Sequence, residues 1–327
     1  MNGFSNIVGH EQIKEHLQAA IKKRNPFHAY IFEGESGIGK KQMAHAFSAG
    51  LQCSAEGEHP CGSCVSCRQE ASGLQPDIIW LRKEKSSYGV DEIREQLNHA
   101  MPIKPYASKY KIFIISEADT MTEQAQNALL KTIEEPPSYG IVILLTDNIN
   151  GLLPTIRSRC MNLEFRPLTQ AAVEGYLMEH CEVPDYLAKT SAVFAQGNIG
   201  KAIRYARSED FIQKKELVFD ILRHVGDMTV SEMISAIKMI GENKDEVEDY
   251  IDLMVLWYRD VLLFKATKDV NQLLLQDEYV GIMEDAKYLG YDKIEEVLQA
   301  FEKAKIRLRA NVNFDVTIEL MLLTMKE

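Results

Sequence analysis

A glycine-rich turn set between an apolar strand and a helix constrains this chain more than any other feature. Gly34-Glu35-Ser36-Gly37-Ile38-Gly39-Lys40-Lys41 follows the apolar run Tyr30-Ile31-Phe32 and opens a helical stretch over 41–51. That is the context a G-x-x-x-x-G-K-[ST] phosphate loop requires, because backbone N–H groups and the lysine hold phosphate oxygens at a helix N-terminus. Gly34, Gly39 and Lys40 fit the pattern. Lys41 does not, since it stands where a Ser or Thr hydroxyl should reach Mg²⁺. A chance glycine-rich turn is the competing reading, and the flanking strand and helix weigh against it.

The apolar patterning extends this start into an α/β domain. Helical periodicity covers 13–23, 90–101 and 121–133, and Thr120 with Glu123 supplies a capping-box signal for the last of these. Apolar runs at 77–81, 111–115 and 141–145 read as strands, the latter two buried on both faces. Strands separated by helices imply βαβ units and a parallel sheet with helices on both faces. Beyond Pro167 the strand signals stop. Short helices are expected at 169–180, 184–195 and 200–207, then long amphipathic ones that include 246–265 and 293–309. The expected organisation is an α/β domain over 1–166, a small helical lid over 167–208 and an all-helical domain over 209–327.

After the run 111–115 the chain reads Ser116-Glu117-Ala118-Asp119. In a P-loop ATPase this strand ends in a pair of acids, one on the metal side and one activating water. Glu117 holds the second position, but Ser116 is a weak neutral group at the first. Lys41 and Ser116 therefore both weaken a Mg²⁺ site, and hydrolysis by this chain is not expected. Whether the loop still takes ATP is left open.

Four of the six cysteines fall within fifteen residues, as Cys53-x7-Cys61-x2-Cys64-x2-Cys67. Four soft ligands so spaced suit a closed tetrahedral Zn²⁺ site of structural type. Disulfides and an iron–sulfur cluster are the alternatives, and His59 is a possible substitute ligand. The net charge of −11 argues against a protein that grips nucleic acid unaided. With no apolar run of spanning length and no secretion signal over 1–6, a soluble cytoplasmic protein is expected.

Two further segments are distinctive: Asn127-Ala128-Leu129-Leu130-Lys131-Thr132-Ile133-Glu134-Glu135-Pro136-Pro137 and Leu153-Pro154-Thr155-Ile156-Arg157-Ser158-Arg159-Cys160. With the phosphate loop, the four-cysteine insertion and Val8-Gly9-His10-Glu11-Gln12, they resemble the AAA+ subunits of the bacterial DNA polymerase III clamp loader. The likeness is strong over the first 165 residues. It implies a AAA+ RecA-like domain with a zinc module at 53–67, a lid, and a collar domain that packs into a five-membered ring.

The resemblance also divides the family into ATP-hydrolysing tau/gamma motors and a non-hydrolysing stator, and Lys41 and Ser116 place this chain with the stator. Gly200 stands where the motors' lid carries an arginine, with Lys201 or Arg204 as possible substitutes. By the same resemblance Arg159 is the arginine that reaches a neighbour's ATP; Arg157 is the rival cation. Thr146 falls at a sensor position, although a strand-end turn bond explains it better. The implied partners are tau/gamma and delta subunits in a hetero-pentamer, and through them the sliding clamp and primed DNA. The chain is then no enzyme alone but a component of a DNA-directed DNA polymerase. Two other readings stay open: a motor relying on Lys40 and Glu117, and a DNA-binding protein reading through its zinc module.

Overall fold

The computed structural model describes residues 3–326 except 56, 58, 209, 210 and 243–246. It divides into two compact units, residues 1–206 and 207–327. In the first, five strands form one parallel sheet: β1 Ala29–Glu33, β2 Ile78–Trp80, β3 Lys111–Ile115, β4 Gly140–Thr146 and β5 Met161–Glu164. Their order is β2-β3-β4-β1-β5. β1 lies at the centre of the motif-bearing region, with Ala29 opposite Val142 of β4 and Tyr30 opposite Met161 of β5.

Helices α1 Glu11–Lys22, α2 Lys40–Gln52, α3 Val65–Ala71, α4 Val90–Ile93, α5 Glu123–Glu134 and α6 Pro154–Arg157 connect or flank the strands. One core layer packs Leu17, Phe47 and Met43 against Tyr30, Phe32 and Ile112. The other packs Leu97, Ala125 and Leu129 against Ile31, Phe113 and Val142. Alternate residues of β1 and β3 thus enter opposite layers, as the two-sided burial of a parallel sheet requires. The α/β AAA+ architecture expected from the sequence is the one observed.

Three local expectations change. β5 was not visible in the sequence: it is an edge strand whose residues alternate between half-buried and exposed, so it lacks a continuous apolar run. The cap of α5 is Thr122, whose side chain accepts the Ala125 N–H at 3.2 Å. Thr120 instead sits in a 3₁₀ turn and donates to Glu117 O at 2.8 Å. The helix expected over 90–101 is regular only to Ile93 and continues as a π-turn over Arg94–Asn98.

Helices α7 Gln170–Cys181, α8 Asp185–Ala195 and α9 Ile199–Arg207 complete the first unit, apart from the last residue of α9. Among the described residues the regular elements of the second unit are all helical, the longer ones being α10 Phe211–His224, α11 Val230–Gly241, α12 Val247–Thr267, α13 Tyr279–Tyr288, α14 Tyr291–Arg309 and α15 Phe314–Lys326. Position 246, the expected start of α12, and 209, the expected domain boundary, lie outside the described residues, as do Glu56 and Glu58 of the cysteine segment.

The apolar stripe of α12 is core: Tyr250, Met254, Trp257, Tyr258 and Val261 are all buried, and only Leu262 is 37% exposed. Trp257 Nε1 donates to Asp285 Oδ2 on α13 at 2.7 Å, which satisfies the indole inside the core. In the basic run of α14, Lys305 donates to Asp252 at 2.6 Å and Arg309 forms a two-pronged pair with Glu248 at 2.8 Å. Both cations are engaged within the unit by α12.

Candidate functional site

The loop between β1 and α2 adopts the conformation its glycines permit. Gly34, Gly37 and Gly39 have φ of 154°, 87° and 115°, a region closed to most side chains. Lys40 is only 7% exposed, and its ammonium finds its partners inside the protein. It donates to Gly34 O, to Glu35 O at 3.0 Å and to Asp147 Oδ1 at 2.7 Å. An ammonium has three N–H donors, so all three are spent. Asp147 follows β4 directly and supplies the negative charge that a phosphate would bring.

The helices after β5 hold the same loop from the other side. Asn198 Nδ2 donates to Ser36 O at 2.7 Å, Gly200 N–H donates to Gly37 O at 3.0 Å, and Lys201 Nζ lies 2.7 Å from Glu35 Oε1. A Cβ at Gly200 would fall 2.8 Å from Gly37 Cα. No arginine can occupy that position while this backbone contact persists, and Lys201 is committed to Glu35.

The acidic motif is engaged by its own neighbours. Glu117 has φ 51° and its carboxylate pairs with Lys83. Thr146 is fully buried; it donates to Asp119 Oδ1 at 2.8 Å and accepts the Asn148 N–H at 3.1 Å, as a strand-end turn residue does.

Arg159 lies elsewhere. It precedes β5 by two residues, and its groove of about 830 Å³ is lined by Phe27 and His28, just before β1, and by Glu134 and Glu135 at the end of α5. The phosphate loop follows the other end of β1. At roughly 3.3 Å per residue, the strand separates the two sites by on the order of 16 Å. The Arg159 side chain is 41% exposed; Nη2 lies 3.0 Å from Glu134 Oε1 and Nη1 donates to Thr155 O at 3.0 Å. Arg157 instead donates to Asn150 Oδ1 at 3.3 Å. Burial pushes the neighbouring Cys160 thiol up to about 12, which makes it an inert packing group.

The four clustered cysteines converge. The Sγ atoms of Cys53, Cys61, Cys64 and Cys67 all lie within 4.8 Å of one another, with Cys53–Cys64 and Cys61–Cys67 at 4.0 Å. A tetrahedral ion with metal–sulfur bonds near 2.3 Å needs edges of about 3.8 Å, so the set fits zinc. Helix α3, which the sequence did not reveal, begins inside the cluster: Cys64 caps it by accepting the Cys67 N–H. Hydrogen bonds from Ser63 and from the Cys64 backbone hold Cys61 down to about 5, whereas burial pushes Cys67 upward. At the far end of α3, Glu70 Oε1 lies 2.5 Å from His45 Nδ1 on α2, which ties the cysteine segment to the loop helix.

Comparison with known proteins adds sequence relatives. The family model described as "DNA polymerase III, delta subunit" matches residues 9–169. DNA polymerase III subunit delta' of Bacillus subtilis is 30% identical over 314 residues, 95% of this chain and 94% of that protein. The tau subunit of the same organism is 27% identical over 345 residues, covering 96% of this chain but 60% of its own length. Among solved structures, a DNA polymerase III gamma subunit-related protein from Thermotoga maritima superposes with a TM-score of 0.47 at 17% identity, covering 95% of this chain and 98% of that one.

The contact between Gly200 and the loop gives a prediction whose sign is decisive. Near the start of a helix, Gly→Ala ordinarily stabilises by up to about 1 kcal/mol. Here Gly200→Ala is expected to destabilise by about 1–3 kcal/mol, because its Cβ meets backbone that must shift. Thermal denaturation reads the difference, and a raised midpoint would contradict the contact.

Proposed function

Because this chain belongs to the DNA polymerase III clamp-loader family of delta' subunits, we propose that it is the non-hydrolysing stator of such a complex, lending Arg159 to the ATP site of a neighbouring motor subunit. The observation that carries this reading is the polarity of the sheet. Arg159 is exposed at the end of the strands opposite the chain's own phosphate loop, so any nucleotide it touches belongs to another subunit. A planar guanidinium with a permanent charge suits the charge that develops on a transferring γ-phosphate.

The chain's own loop has the opposite character. Lys40 is neutralised by Asp147, the lid holds Ser36 and Gly37, and Lys41 and Ser116 offer Mg²⁺ neither a hydroxyl beside the lysine nor a carboxylate after β3. These features favour the stator over the motor. The partners in this reading are tau/gamma and delta subunits, and the work of the assembly is loading a sliding clamp on primed DNA in the cytoplasm. No helix among the described residues is long and apolar enough to cross a membrane.

The cysteine cluster is proposed to hold one structural Zn²⁺. With all four positions taken by sulfur the ion has no site for water or substrate, so its effect is on folding of the segment over 53–67. Metal analysis is expected to find one zinc per chain, lost in Cys64→Ala together with a lowered thermal midpoint. Zinc-free wild-type protein of unchanged stability would contradict the assignment.

The stator role is tested in a complex reconstituted with the motor and delta subunits, by measuring clamp- and DNA-stimulated ATP hydrolysis. Arg159→Ala is expected to slow the site it serves by about 10³–10⁵-fold, leaving the remaining sites active, while Lys40→Ala leaves every rate unchanged. Full activity with Arg159→Ala, or loss with Lys40→Ala, would overturn it.

A further inference from the structure

Arg159 and Glu134 come from the two segments 153–160 and 127–137, and the fold joins them at the end of the sheet remote from the phosphate loop. The contacts use a defined part of the guanidinium. Nη1 donates to Thr155 O at 3.0 Å and to Ser158 Oγ at 3.3 Å, and Nη2 faces Glu134 Oε1 at 3.0 Å. Nε has no partner among the described residues. Arginine carries five N–H donors in one rigid plane, so fixing one side of that plane aims the rest.

Glu134 is suited to fixing it. It is the last residue of α5, a helix packed into the sheet core through Ala125, Leu129 and Ile133, so its carboxylate hangs from a rigid element. The side chains are 41% and 46% exposed, which leaves the pair open to an incoming ligand. An exposed ion pair adds little to folding stability; what it can supply is orientation of a long, otherwise mobile side chain.

We propose that Glu134 is a positioning residue for Arg159, holding Nη2 so that the free Nε side of the guanidinium is presented to the γ-phosphate of the neighbouring subunit. This rests on the trans role of Arg159. Glu134 itself touches no substrate. It lowers the entropy lost when the arginine engages the transition state, which is an effect on kcat more than on ATP binding.

The test uses the reconstituted complex with the other motor sites silenced, so that only the site served by this chain turns over. Glu134→Ala is expected to lower kcat by roughly tenfold, with the KM for ATP changed by less than about threefold. Glu134→Gln, which keeps an oxygen acceptor, recovers part of the loss. The double variant Glu134→Ala, Arg159→Ala is no slower than Arg159→Ala alone, because positioning is worthless once the arginine is gone. Unchanged kcat in Glu134→Ala, or additive losses in the double variant, would overturn the proposal. An Arg159→Ala complex with full activity would instead sink the trans role beneath it, so the two failures read differently.

Discussion

The ion pair between Lys40 and Asp147 is the contact on which the state of the chain's own phosphate loop depends. A phosphate loop is a device for gathering positive charge and N–H donors at one point, and it is stable without a ligand only if something answers that charge. Here the protein answers it with a carboxylate 2.7 Å away and two loop carbonyls. The helices after β5 add Asn198 and Gly200 against Ser36 and Gly37, so the loop is held by its own chain on two sides. A nucleotide entering this pocket would have to displace the half-exposed Asp147 from the buried Lys40 and would find neither expected metal-side group waiting.

The parallel sheet sets that local fact well apart from Arg159. All five strands run the same way, so the loop after β1 and the arginine before β5 are fixed at opposite ends of adjacent strands. One end has been closed upon itself, and the other keeps an exposed guanidinium in an open groove. The cysteine segment lies off the loop helix, where Glu70 meets His45. Its four sulfurs converge closely enough to hold one structural ion.

Much of this was legible in the sequence because it rests on local signals. β3 and β4 are buried on both faces and write themselves as unbroken apolar runs. The loop glycines and the cysteines are identified by spacing, and so were the two substitutions, Lys41 and Ser116. What the sequence hid depends on partners distant along the chain. Asp147 is an ordinary acid after a strand until the fold sets it beside Lys40, 107 residues away. Gly200 reads as a missing arginine, and only the fold shows that its bare Cα meets Gly37. Edge strand β5 was missed because half of its residues face outward, and helix α3 because its cap is a cysteine, not one of the usual oxygen-bearing residues.

The central claim is that this subunit's own nucleotide pocket is filled by its own side chains. Calorimetric titration of the isolated chain with MgATP tests it most directly. The account predicts no saturable binding up to about 1 mM, a ligand concentration corresponding to only some 4 kcal/mol of affinity. One-to-one binding in the micromolar range, abolished by Lys40→Ala, would contradict it.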